Sequence, residues 1–67
     1  MDPTTTLMDF WIAIELKSYK RAMEKRRILL DWLTKGGDEP EWSKTPYTKE
    51  EFEVVILTLK HLKDIVV

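Results

Sequence analysis

Few side chains in this chain can do acid–base, nucleophilic or metal chemistry. There is one histidine, His61, and no cysteine. A metal site needs several His, Cys, Asp or Glu at fixed spacing, and thiolate sites are excluded outright. His61 stands near the expected end of a helix, where a solvated imidazole is the ordinary outcome. Glu50, Glu51 and Glu53 cluster, but they fall in what reads as the first turn of a helix. Negative charge there complements the helix dipole, so no pair of carboxylates converging in a pocket is needed to explain them. Gly36-Gly37 lacks the spacing of a phosphate-binding loop, and the acids after it would repel a phosphate. The sequence therefore reads as non-enzymatic, with no cofactor and no metal.

One run carries a binding chemistry instead. From Lys17 to Arg27, six of eleven residues are basic and one is acidic. Lys17, Lys20, Arg21, Lys25 and Arg27 could follow a nucleic-acid backbone. The bland alternative is a solvated helix face. No helix-turn-helix pattern supports reading of base sequence, so contact would be with backbone or shape. The whole chain, at a net charge of −1, shows no general attraction to nucleic acid or anionic lipid. The charge is uneven, however. Residues 1–34 hold six cations against five acids, and residues 35–67 hold five against seven.

These residues are positioned by helices. Asp2-Pro3 is a good start, with Asp as cap and Pro at the first helical position. Thr6 competes for that start with Asp9 three residues on, and the β-branched run Thr4-Thr5-Thr6 favours the later position. No Pro or Gly then appears until Gly36, so helix 1 is expected over about 3–35, closed by Gly36 in a left-handed conformation. Residues 36–47 form a linker rich in turn residues, with Trp42 folding back to plug one end of the core. Thr48 with Glu51 makes a capping box, and Tyr47 with Phe52 makes a hydrophobic staple. Helix 2 is expected over about 49–65. The expectation is one all-α domain over residues 1–67, an antiparallel hairpin of one long and one shorter helix.

That hairpin has unequal arms. About 30 residues span roughly 45 Å and about 17 span roughly 25 Å. The shorter arm would cover Tyr19 to Leu33 and leave residues 7–16 bare. An exposed apolar patch of that kind marks a partner. The expected interface is Leu7, Met8, Phe10, Trp11, Ile14, Glu15, Ser18 and Arg26, closing two hairpins into a four-helix bundle. Trp11 is the expected anchor. Glu15 and Arg26 lie within the apolar arc; the plainer reading is that both snorkel from the edge of the core, and the alternative is antiparallel pairing of two copies that sets Glu15 of one against Arg26 of the other. The leading functional expectation is a non-enzymatic interaction or regulatory module, acting as a homodimer or as a subunit of a larger complex. The alternative is a nucleic-acid-binding dimer using the basic run. A heterologous protein partner would use the same apolar patch. No apolar run reaches the length of a membrane span, and the lack of cysteine leans toward a cytoplasmic setting.

Overall fold

The computed structural model describes residues 1–62, and its described elements are three α-helices and one short 3-10 turn. Helix α1 is Pro3–Glu15, α2 is Tyr19–Thr34, the 3-10 turn is Trp42–Lys44 and α3 is Lys49–His61. The expected all-helical class holds, and α1 packs against α2 as a hairpin. The single long helix does not form. Its greatest extent would have been roughly 45 Å, whereas the fold measures 33 × 27 × 19 Å.

The break is at Leu16-Lys17-Ser18. Lys17 takes a left-handed φ of 59°. Its N–H donates to the Ile14 carbonyl at 3.0 Å, and the Ser18 N–H donates to the Ala13 carbonyl at 2.8 Å. These two bonds are those of a Schellman motif, which ends a helix by satisfying its last carbonyls. The burial pattern explains why the chain turns here. Folding α1 back on α2 puts Leu7, Phe10 and Ala13 against Ala22 and Leu29. Ala13 and Ala22 flank the corner, and their small side chains let the two helices approach. Leu7 and Phe10 are 0% exposed. The expectation that residues 7–16 lie bare is thus overturned for Leu7, Phe10 and Ala13, which the protomer's own core covers, while Ile12 and Leu16 stay exposed. Burying a side chain such as Phe10 or Leu7 is worth about 1.5–3 kcal/mol, more than the αL conformation of one lysine costs, at about 1–2 kcal/mol.

The start of α1 is at Asp2-Pro3, not at Thr6. Asp2 Oδ1 accepts from the Thr4 N–H at 3.0 Å, and Oδ2 accepts from the Thr5 hydroxyl at 3.0 Å. The Thr5 hydroxyl bond is the main reason the Asp2 carboxyl lies below the usual carboxylate range. A carboxyl depressed in this way stabilises the fold above its unfolded pKa. That contribution is lost as pH falls through the folded pKa. The threonine run, which argued for a later start, is absorbed instead: the Thr6 hydroxyl donates to the Asp2 carbonyl, and the Thr4 hydroxyl accepts from the Glu41 N–H at 3.0 Å.

That last bond fastens the connecting segment across the beginning of α1. Gly36, at φ 84°, closes α2, and the Trp32 indole N–H donates to the Asp38 carbonyl at 2.9 Å. Trp42 does not plug the core. It is 45% exposed, and its indole N–H donates to the Tyr47 carbonyl within the same segment. Tyr47 supplies the core contact expected of Trp42.

Helix α3 begins as expected. Thr48 Oγ1 accepts from the Glu51 N–H at 3.1 Å, and the Glu51 carboxylate accepts from the Thr48 N–H. Its buried stripe is Val55 and Leu59, with Phe52, Ile56 and Leu62 half-buried beside it. Near its C-terminus, Arg26 Nε donates to the Leu59 carbonyl at 2.7 Å. That carbonyl is among the last four of α3, which lack helical partners, and a charged donor suits it. The expected continuation of this helix to about residue 65 lies outside the described residues.

Candidate nucleic-acid interface

Most of the basic run lies together at the α1–α2 corner and along the first turns of α2. Lys17, Lys20, Arg21 and Lys25, with Ser18, Tyr19 and Glu24, line an open basin of about 690 Å³. Four cations meet one acid there. The described ion pairs lie elsewhere: Lys35 with Asp31 at 3.0 Å and Lys44 with Glu41 at 3.7 Å. Arg27 is exposed on α2 but does not line the basin.

Local structure adds positive potential to those side chains. Ser18 precedes α2 but makes no side-chain cap bond, and no acid occupies the first turn. The first helical bond into this region is from the Ala22 N–H to the Ser18 carbonyl, and the N–H groups of a helix's first turn have no partner within the helix. Lys20 and Arg21 in a first turn oppose the helix dipole. The starts of α1 and α3 are both capped.

The residues expected at a protein interface are scattered. Leu7 and Phe10 are inside the core, and Met8, Trp11 and Ile14 are half-buried. Glu15 and Ser18 are exposed. Arg26 is half-buried, and its Nε is bound to the Leu59 carbonyl within its own protomer.

A second surface lies between α1 and α3. Trp11 and Val54 form the apolar part of a groove of about 240 Å³, rimmed by Thr48, Glu50 and Glu51. Close to this side, the Tyr47 hydroxyl is pushed above its usual pKa, first by burial and then by the carboxylates of Glu15 and Glu51. The α1–α3 side is therefore acidic where the α1–α2 corner is basic. Leu57 and Val54 are each more than half exposed on α3.

Among the described residues, no group of three or more His, Cys, Asp or Glu is placed to hold a metal ion. No buried side-chain polar atom among them lacks a hydrogen-bond partner. His61 is exposed in the last turn of α3 beside Lys60. No described helix is long and apolar enough to cross a membrane.

Sequence reasoning missed Tyr19 and the conformation of Lys17. Tyr19 reads on a helical wheel as part of the apolar side, and only its place inside the basic run hints at a shared surface. The left-handed turn at Lys17 carries no glycine to announce it. Comparison with family models, curated proteins and solved structures gives no match, so function is argued from this geometry.

Proposed function

We propose that the protein is a small non-enzymatic binding module that docks a nucleic-acid backbone on its α1–α2 corner. The observation that carries this reading is the convergence of Lys17, Lys20, Arg21 and Lys25 on one open basin with no ion pair among the described residues. A polyanion would relieve the mutual repulsion of these cations and release its own condensed counterions. The overall charge of −1 is no obstacle, since exposed charges act over about 8 Å at physiological salt.

Titration of labelled oligonucleotide at rising salt tests the reading. Affinity should fall steeply with salt, and Lys20→Glu with Arg21→Glu should abolish binding while helical content is retained. Binding that ignores both salt and this double charge reversal would refute it.

A second reading, a module that associates with itself or with another protein, keeps one specific support: the acid-rimmed groove of Trp11 and Val54. It ranks lower because Phe10, the centre of the apolar patch expected to be bare, is 0% exposed. Sedimentation of the parent and of Val54→Glu separates the two. A concentration-dependent mass that Val54→Glu reduces to the protomer would raise this second reading above the first.

A further inference from the structure

We infer that the corner takes single-stranded rather than duplex nucleic acid, with one base stacked on Tyr19 while Lys17, Lys20, Arg21 and Lys25 hold the neighbouring phosphates. The inference rests on the backbone-docking reading above and deepens it. Tyr19 is half-buried and lines the basin among the four cations. Its hydroxyl makes no hydrogen bond among the described residues. An aromatic ring set in a cationic surface is how sequence-tolerant proteins hold single strands, because every base offers a π-face. Bases paired inside a duplex cannot reach such a ring.

The length of the cationic surface points the same way. From Tyr19 to Lys25 along α2 is about 9 Å. Glu24 already interrupts the basin, and further along α2 Lys35 is paired with the exposed Asp31. The strip is thus long enough for a few phosphates of one strand. A duplex presents phosphates on both sides of a groove about 12 Å wide, and the described cations outside residues 17–27 are set on other parts of the fold. Neutralising about four phosphates of a single strand gives a log–log salt slope of about −3, which is about 50-fold in affinity between about 50 and about 200 mM salt.

The experiment is fluorescence anisotropy with the full chain and two probes, a labelled oligothymidylate and a duplex of the same length, each at about 50 and about 200 mM salt. Parent, Tyr19→Leu and Tyr19→Phe are compared, with circular dichroism melts to confirm that all three fold. The expected result is preference for the strand, a loss of at least about fivefold for Tyr19→Leu, and retention by Tyr19→Phe, which keeps the ring. Salt-dependent binding that is equal for strand and duplex, or unchanged in Tyr19→Leu, overturns the stacking inference and leaves backbone docking standing. No salt-dependent binding to either probe overturns both.

Discussion

The chain reverses direction twice with the same hydrogen-bond motif and with different residues. After α2, Gly36 is left-handed at φ 84°, its N–H bonded to Leu33 and the Gly37 N–H bonded to Trp32. After α1, Lys17 is left-handed at φ 59°, with matching bonds from Lys17 to Ile14 and from Ser18 to Ala13. The first reversal uses the residue that meets no steric penalty there. The second holds a lysine where a glycine would be easier. The helices that follow differ too. Helix α3 opens with a complete capping box, whereas α2 opens on an idle serine, Lys20 and Arg21. One corner obeys the local rules of stability. The other breaks them, and it is the one that lines a cationic basin. Strain retained at one place in an otherwise rule-abiding fold is a pointer to function.

The lysine corner is closed only if Phe10 is buried in the core, and the largest predicted effect tests this. Phe10→Ala should cost about 3–5 kcal/mol, which for a domain of this size is most of its stability. Urea titration followed by circular dichroism reads it out. A nearly neutral result would mean that α1 and α2 run on as one rod with Phe10 in water, and that the corner does not exist.

The glycine corner is probed next. A Cβ at Gly37 would overlap the Trp32 indole, which is held by its bond to Asp38. Gly37→Ala should therefore cost about 1–3 kcal/mol. A wild-type melting temperature would show that the indole can swing aside and that this corner is looser than its hydrogen bonds imply.

The two helix starts give a paired, smaller prediction. Thr48→Ala removes a made cap bond and should cost about 1 kcal/mol. Ser18→Ala removes none and should stay within about 0.5 kcal/mol of the parent. Thermal melts of both variants suffice. An equal loss in the two would show that Ser18 does cap α2, and the asymmetry between the corners would shrink to the lysine alone.

What could be read in advance follows the same division. The α3 start was legible because Thr48, Glu51, Tyr47 and Phe52 each vote for it locally. Gly36 was legible because glycine declares a left-handed turn. The break at Lys17 was not, since no residue from Leu16 to Ser18 is a helix breaker and the reason to break is distant: Phe10 and Leu7 gain burial only if α1 turns back. The basin's cations were visible as a run, and most of them stay together on α2. The corner changes the place of Lys17, and Tyr19 shares the same stretch of helix. Trp42 misled for a related reason. Its size argued for burial, while its indole N–H found the Tyr47 carbonyl inside the connecting segment and left the core to Tyr47.

Lys17 itself supplies the last test, because stability and binding should respond to it in opposite directions. Replacing it by glycine removes the left-handed penalty of about 1–2 kcal/mol. It also adds backbone freedom to the unfolded chain, which takes back about 0.5–1 kcal/mol. The net gain is about 0–1.5 kcal/mol, or up to several degrees in melting temperature for a domain this small. The same change deletes one of four basin cations, so the salt slope for single-stranded nucleic acid should become shallower by about 0.7. Lys17→Asn separates the causes further, since asparagine tolerates the left-handed region and carries no charge. A Lys17→Gly protein that is more stable and binds as tightly as the parent would mean that the lysine serves neither fold nor ligand. A protein more stable and weaker in binding would show that this corner holds a charge against its own geometry, as the Gly36 corner has no reason to do.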